Sequence, residues 1–189
     1  PAVAAFAASA PVLLDVAVDD EGHTAEWLRG GAVLAAVTAS ARPAAGCNHR
    51  PLGAMRYLAA ASPAFVYQHF ANGVDAASLA RAPSLVFSPK DELQTRWVRR
   101  LCGQHVELPR HTLPSSQAFV VAAAAGMGWG LHPESLIAEH LQQGTLVALL
   151  SDAPLDVPLY WQHARATSAL LDGLTRAVLT AAQATLVQR

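Results

Sequence analysis

Two adjacent serines, Ser115 and Ser116, stand at the predicted start of a helix and are the side chains best suited to binding chemistry. Serine is a preferred N-cap residue, because its side-chain oxygen accepts from the unpaired N–H groups of the first helical turn. Those N–H groups and the helix dipole favour negative charge, so such a helix end can bind a carboxylate or a phosphate. An ordinary capped helix in an α/β layer has the same pattern, and the motif alone leaves both interpretations open.

The sequence contains none of the common enzyme motifs. Its eight histidines form no HExxH or similar metal-ligand spacing, and His105, His111 and His132 fit surface or core roles. The GMGWG run at residues 126–130 holds no nucleophile and no GxGxxG pattern followed by an acidic residue. We therefore predict a protein that is not an enzyme and that needs no cofactor and no metal.

The composition is that of a well-packed chain near neutral charge. Of 189 residues, 52% are hydrophobic and 14% are charged, and the formal net charge is −1. These values argue against disorder and against nucleic-acid binding by this segment alone. Cys47 and Cys102 are far apart in the sequence, and we expect free thiols in a reducing compartment. No apolar run reaches the roughly 18 residues that span a bilayer, and no signal peptide is recognised.

The elements that must position Ser115 and Ser116 alternate between helix and strand. The predicted helices comprise residues 1–10, 24–29, 63–70, 92–101, 118–125, a helix with Pro133 at its first position, and 168–187. The predicted strands comprise residues 12–18, 33–38, 52–61, 85–87, 111–113, 127–131, 145–150 and 155–164. This order predicts an α/β protein with mostly parallel sheets and crossover helices.

Two of the predicted strands, residues 52–61 and 155–164, are longer than the others. The elements between them are numerous enough to form a subdomain, to which the terminal helix would not belong. Two strands crossing between two α/β lobes describe a hinged binding protein that closes on its ligand. A single doubly wound sheet is the alternative, and the pattern does not choose between them.

Five segments, in this order along the chain, carry a family resemblance. They are residues 19–38 (DDEGHTAEWLRGGAVLAAVT), 51–65 (PLGAMRYLAAASPAF), 90–97 (KDELQTRW), 114–134 (PSSQAFVVAAAAGMGWGLHPE) and 155–163 (LDVPLYWQH). Together they resemble the effector domain of LysR-type transcriptional regulators. Leu34 stands where most members of that family have an aspartate, as in the branch that controls lysine and arginine export, the LysG and ArgP type.

The resemblance implies a two-lobed type 2 periplasmic-binding-protein-like α/β fold with two crossover strands and a cleft between the lobes. Residues 1–57 and 160–189 would form regulatory subdomain I, and residues 58–159 would form subdomain II. The implied function is cytoplasmic sensing of lysine or arginine in that cleft to control transcription, with an amino-acid exporter as the expected target. The DNA-reading winged helix-turn-helix domain, and the first strand of the effector domain, would lie before Pro1. A stand-alone solute-binding protein of a transporter is the alternative.

The resemblance also suggests how a basic amino acid would be held. Its carboxylate suits Ser115 and Ser116, and Thr38 stands where family members place an effector-contacting Ser or Thr. Asp91 is the first candidate to meet the distal cation, with Glu92 second. Asp91 capping the next helix and Thr38 as a plain strand end are the alternatives.

Trp129 or Trp97 could offer a ring face to the same cation. Trp97 also falls at helical spacing from Leu93 and Leu101, which equally fits a core residue.

Assembly follows from the same resemblance. We expect a two-fold homodimer of this segment, or a tetramer of the full-length protein, with DNA contacted only through the N-terminal domain and no membrane contact. The interface would join residues 1–10 or 24–29 and their strand to residues 92–101 or 118–125 of the second copy.

Overall fold

The computed structural model describes residues 2–10, 12–19 and 24–188. The chain divides into two compact units: unit 1 contains Pro1–Met55 and Asp156–Arg189, and unit 2 contains Arg56–Leu155. Two long strands, β2 (Cys47–Ala61) and β7 (Leu155–Ala164), carry the chain from one unit to the other.

Unit 1 is built around the strand order β1-β7-β2. Its other elements are α1 (Ala2–Ser9), α2 (Thr24–Arg29), β1 (Ala35–Thr38), a short 3-10 helix (Arg165–Thr167) and α8 (Ser168–Thr185). β1 runs antiparallel to β7, with Ala35 opposite His163 and Thr38 opposite Tyr160.

Close packing holds the helices of unit 1 in place. Trp161 of β7 donates its indole N–H to the hydroxyl of Thr175 on α8 at 3.0 Å. A Cβ atom added at Gly173 of α8 would lie 2.8 Å from the ring of Phe6, so α1 and α8 approach closely only because that residue is glycine. Thr24 donates to the carbonyl of Val37 at 2.8 Å and so ties α2 to β1.

Unit 2 contains most of the short elements. They are α3 (Pro63–Phe70), α4 (Ala76–Leu79), β3 (Ser84–Val86), α5 (Leu93–Cys102), β4 (Arg110–Thr112), α6 (Ser116–Ala124), β5 (Gly130–Pro133), α7 (Glu134–Gln143) and β6 (Val147–Ala148). The end of β2 pairs antiparallel with β5 and with β6. β3 and β4 pair in parallel.

The core of unit 2 buries one face of α6 against the strands. Its buried members are Leu58, Ala60, Leu85, Phe119, Val120, Ala123, Ile137 and Leu146. A Cβ atom at Gly130 would lie 2.6 Å from the ring of Phe119, so β5 leaves room for that ring only as glycine.

The prediction of mostly parallel sheets is wrong for the pairings described above. β1–β7, β2–β5 and β2–β6 are antiparallel, and β3–β4 is parallel. The order of helices and strands along a chain does not specify strand direction, because a chain that passes between two units can enter a sheet from either end.

The strand predicted at residues 12–18 is also wrong. Residues 12–19 are irregular, and Leu13 and Val18 are exposed by 102% and 76%. β-branched composition expresses only a preference, and a strand needs a neighbouring strand for its N–H and C=O groups. No ladder pairing of these residues is seen in the described parts of the chain.

The remaining differences concern the ends of elements and one short helix. β2 begins five residues before the predicted start at Leu52, and β5 begins at Gly130 rather than Met127. Pro133 is the N-cap of α7, not its first helical residue. The four-residue helix α4 was not predicted, although Asp75 and Ser78 form a capping box that marks its start.

The structure also bears on the two cysteines and on membrane-spanning helices. Cys47 and Cys102 are both free thiols, as predicted. Within the described ranges, no helix combines the length and apolar character that a bilayer crossing requires.

His132 of β5 is a fully buried histidine in the core of unit 2. Its ring packs edge-on against Phe119 at 5.0 Å. Burial lowers the pKa of His132 to about 4, an effect that the nearby backbone of Ala60 partly offsets. Neither ring nitrogen reaches a partner in hydrogen-bond geometry among the described residues, so the core holds the neutral imidazole.

We predict that His132 makes the fold sensitive to acid. The unfolded chain protonates this histidine near pH 6.5 and the folded chain only near pH 4. The free energy of unfolding should therefore fall by roughly 3 kcal/mol as pH drops through that window. Urea denaturation between pH 7 and pH 4 should show a shallower fall for His132→Leu than for the unaltered chain. His111→Asn, at an exposed position, is the control, and an unchanged slope in His132→Leu would contradict the prediction.

Candidate functional site

The N-terminus of α6 presents donors that are not used within the helix. Ser115 is the N-cap, and its Oγ accepts from the N–H of Ala118 at 3.3 Å. The first intrahelical bond runs from the N–H of Phe119 to the carbonyl of Ser115, so the N–H groups of Ser116 and Gln117 precede the ladder. Ser115 and Ser116 are exposed. Two hydroxyls and two backbone N–H groups can therefore point to an anion at this helix end.

The loop before α6 and the loop after β3 leave the same edge of the β3–β4 sheet. Ser84 pairs with Arg110 and Val86 with Thr112 in parallel register. The N–H of Leu113 then donates to the carbonyl of Val86 at 2.9 Å, which extends the pairing to the start of the next loop. The carboxyl ends of parallel strands are the usual ligand-binding edge of an α/β sheet.

Asp91 lies in the loop after β3 and is buried, with 6% of its surface exposed. One carboxylate oxygen accepts from the N–H of Phe87 at 2.9 Å and the other from the N–H of Leu93 at 3.0 Å. Asp91 therefore closes the loop and satisfies the first turn of α5, which was the alternative interpretation from the sequence. Glu92, the second candidate, is exposed and makes no side-chain cap bond. Contact between Asp91 and an effector stays a prediction.

Trp129 occupies a different place from Ser115 and Asp91. Its carbonyl accepts from the N–H of Leu85 at 2.7 Å, and it bridges Ser84 at the amino end of β3. The side chain is fully buried, and its ring lies 5.5 Å from that of Trp97. Protein therefore covers the ring, and a cation could reach Trp129 only after that core opened. Trp97 is likewise buried and donates to the carbonyl of Ala153 at 2.7 Å, so it is a core residue.

The glycines of the GMGWG run have structural functions. Gly126 adopts φ +81° after the end of α6, a conformation that suits glycine, as the sequence indicated. A Cβ atom at Gly128 would lie 2.8 Å from the carbonyl oxygen of Pro83. Gly126 therefore ends α6, and Gly128 lets the chain pass close to β3. These glycines serve the packing of the backbone and do not form a nucleophile elbow or a phosphate-binding loop.

In unit 1, Thr38 ends β1 and is fully buried. Its hydroxyl accepts from the N–H of Ser40 at 3.1 Å. The loop that follows is held by buried Gln162 of β7, which accepts from the N–H of Ala44 at 2.8 Å and donates to the carbonyl of Arg42 at 3.2 Å.

Gln162 was missed as a site-forming residue. Gln162 lies opposite Ala36, which precedes Thr38 by two residues on β1. This placement can be recognised only once the pairing of β1 with β7 is known.

The structure therefore brings Ser115, Ser116 and Asp91 to one edge of the β3–β4 sheet and leaves Trp129 in the core of unit 2. Thr38 belongs to unit 1. Within the described ranges, no three His, Cys, Asp or Glu side chains are grouped so that they could hold a metal ion.

A shallow cavity of about 490 Å³ lies elsewhere in unit 2, beside the second half of α5. It is lined by Trp97, Arg100, Leu101, Asp152, Ala153 and Pro154. The sequence predicted Trp97 only as the second choice after Trp129 for contact with a cation, and Trp97 lines this cavity. The other effector-binding residues predicted from the sequence do not line it.

The chain belongs to the LysR substrate binding domain family, whose model matches residues 1–183. It is 47% identical over 174 residues to the HTH-type transcriptional regulator ArgP of Pseudomonas fluorescens, covering 92% of this chain and 58% of that protein. The chain thus spans about three-fifths of the length of that relative. The family resemblance proposed from the sequence is confirmed.

Solved structures agree in fold. The C-terminal domains of a LysR family protein from Agrobacterium tumefaciens are 52% identical with a TM-score of 0.95, covering 100% of this chain and 91% of that one. Full-length LysG from Corynebacterium glutamicum with bound effector Arg is 38% identical with a TM-score of 0.84, covering 99% and 64%. The fold is the mixed α/β, periplasmic-binding-protein-like fold of LysR regulatory domains, as the sequence predicted.

We predict that Asp91→Ala destabilises the chain by about 1–3 kcal/mol, because the N–H groups of Phe87 and Leu93 lose their acceptor. Urea denaturation at pH 7 measures the difference. Glu92→Ala is the matched control, since that exposed carboxylate makes no cap bond, and it should change the free energy of unfolding by less than about 0.5 kcal/mol. Equal effects of the two substitutions would refute the structural role of Asp91.

Proposed function

We propose that the chain is the effector-binding domain of a LysR-type transcriptional regulator, and that its effector is a small basic amino acid, lysine or arginine. The observation that carries the proposal is the match to full-length LysG with bound effector Arg, at 38% identity and over 99% of this chain. The nearly neutral charge of these 189 residues supports DNA contact through another part of the whole protein. Control of an amino-acid exporter is the expected role.

The chemistry of the α6 N-terminus supports recognition of an amino-acid carboxylate. Ser115, Ser116 and the N–H group of Gln117 are donors that can replace the hydration of an anion, and the helix dipole adds to the attraction. Contact between Thr38 and the effector stays a prediction from the sequence.

The buried carboxylate of Asp91 adds negative charge at the same edge of the sheet, where it would favour a ligand with a distal cation. Both of its oxygens already accept from backbone N–H groups, so we assign it an electrostatic role.

A stand-alone solute-binding protein of a transporter is the other candidate, since one fold can serve both functions. The relatives described above are named as transcriptional regulators, which supports the sensor. In the sensor, the effector binds one of two states of the whole protein more tightly than the other. This difference in binding free energy, typically about 1–3 kcal/mol, shifts the equilibrium between the two states.

Titration calorimetry with single amino acids tests the proposal on the 189-residue chain. Lysine or arginine should release or absorb heat with a saturable curve, and glutamate and aspartate should not bind. A thermal-shift series with the same amino acids should rank them in the same order, because a ligand raises stability with the logarithm of its concentration over Kd. Binding of glutamate but not of lysine or arginine would refute the proposal.

We predict that Ser115→Ala weakens binding of the basic amino acid about fivefold or more, or roughly 1 kcal/mol, through loss of a charge-assisted hydrogen bond. Calorimetric Kd values measure the change. Ser62→Ala is the matched control, because Ser62 caps α3 by accepting from Phe65 at the same 3.3 Å that separates Ser115 from Ala118. Both substitutions should lower stability, and only Ser115→Ala should lower affinity. An unchanged Kd would remove Ser115 from the site.

We also propose a two-fold homodimer, in which the helix region of residues 1–10 or 24–29 and the adjoining segment of one copy lie against residues 92–101 or 118–125 of the other. Leu13 and Val16 are exposed by 102% and 60%, and Val121 of α6 by 65%. Apolar side chains exposed to this extent on two elements are what a self-complementary interface would cover. A tetramer is expected only for the full-length protein.

We predict that Val121→Asp weakens the dimer at least about tenfold, because a carboxylate would be buried without a partner. Sedimentation equilibrium at several concentrations measures the association constant. Leu170→Asp, on α8 and exposed by 64%, is the control for a new surface charge and should leave association unchanged. A monomeric unaltered chain at tens of micromolar, or equal effects of both substitutions, would overturn the proposed interface.

A further inference from the structure

The shallow cavity beside α5 is lined by two opposite charges and lies wholly within unit 2. The guanidinium of Arg100 comes from the last turn of α5, and the carboxylate of Asp152 comes from the turn before β7. Both side chains are exposed, and within the described ranges neither forms an ion pair, with the other or with a third residue. Opposite charges that share a cavity without pairing suit a ligand that carries both charges.

Two hydrogen bonds hold the walls of this cavity together. Trp97 lies on the buried face of α5 and donates its indole N–H to the carbonyl of Ala153 at 2.7 Å. Arg100 donates through Nη2 to the carbonyl of Pro154. Both bonds join α5 to the turn that carries Asp152, so the backbone on the two sides is placed before a ligand arrives. Such preorganisation lowers the cost of binding.

The chemistry of the lining defines what the cavity can bind. A guanidinium has five N–H donors in a planar fork, and the bond to Pro154 engages only one of its nitrogens, which leaves donors for a carboxylate. The carboxylate of Asp152 offers acceptors and a negative charge to an ammonium group. Leu101 and Pro154 add apolar surface.

The size of the cavity fits a small molecule, because about 490 Å³ lies within the roughly 300–1,000 Å³ typical of ligand pockets. We propose that it is a second amino-acid site, which takes a zwitterionic amino acid with an apolar side chain. The carboxylate of the ligand binds Arg100, its ammonium group lies at Asp152, and its side chain contacts Leu101 and Pro154.

This site is distinct from the N-terminus of α6, so the inference does not depend on the effector proposed above. Of the two alternatives for the dimer contact, the one that uses residues 118–125 leaves residues 92–101 uncovered.

The test titrates leucine into the 189-residue chain labelled with fluorotryptophan and follows it by fluorine NMR. The chain has four tryptophans, and the resonance of Trp97, which lines the cavity, is assigned with Trp97→Phe. Leucine should shift the Trp97 resonance along a saturable curve. The resonances of Trp27 and Trp161, both in unit 1, should stay in place.

Two analogues of leucine each lack one charge. The deaminated acid keeps the carboxylate, and the decarboxylated amine keeps the ammonium group. Each should bind at least about tenfold more weakly than leucine, because one of the two charges of the cavity is left without a partner. This comparison uses the unaltered chain and therefore does not depend on how a variant folds.

Substitutions locate the bound leucine. Arg100→Gln and Asp152→Asn should each weaken leucine binding about fivefold or more, through loss of a charge-assisted hydrogen bond. Arg99→Gln is the matched control, since Arg99 is exposed on the same helix and does not line the cavity. Ser115→Ala should leave leucine binding unchanged.

The outcomes separate this inference from the proposed function. An unshifted Trp97 resonance at millimolar leucine, or analogues that bind as tightly as leucine, would show that the cavity is open surface and not a site. If Ser115→Ala weakens leucine binding and Arg100→Gln does not, leucine binds at α6 and the inference is wrong. The titrations with lysine and arginine decide the proposed function on their own.

Discussion

The parallel pairing of β3 with β4 is the constraint on which the candidate site depends. It places the ends of the two strands side by side and is extended by the hydrogen bond from Leu113 to Val86. The loop that contains Asp91 and the start of α6 therefore leave one edge of the sheet. Without that pairing, the loop of Asp91 and the serine-capped start of α6, separated by more than twenty residues in the sequence, would not leave the same edge.

The packing beneath that edge explains why the donors are held in place. Phe119 anchors α6 in the core, and Gly130 and Gly128 leave the space that its ring and the carbonyl of Pro83 require. The alternating glycines of residues 126–130 resemble a ligand-binding loop in the sequence, but in the structure they allow close packing. The donors of Ser115 and Ser116 stay exposed because the opposite face of α6 supplies its stability.

Burial divides the polar residues of this chain into two groups, those whose surroundings are protein and those that face solvent. His132, Gln162 and Asp91 are buried, and their environment decides their chemistry: His132 stays neutral, whereas Gln162 and Asp91 hold loops by accepting from backbone N–H groups. Ser115 is exposed, so its hydroxyl can exchange water for a ligand.

The sequence by itself determined the α/β class, the helix at Ser115 and the length of β7, because these follow from local signals such as caps, glycines and apolar runs. It also determined the family, through the resemblance of five segments rather than through local signals. Strand direction, the irregular course of residues 12–19 and the burial of Trp129 were decided by tertiary structure. They depend on which segments become neighbours, and a side chain's type does not state whether another strand or ring will lie beside it. For the same reason Gln162 could be recognised as a neighbour of the loop after Thr38 only after β1 and β7 were paired.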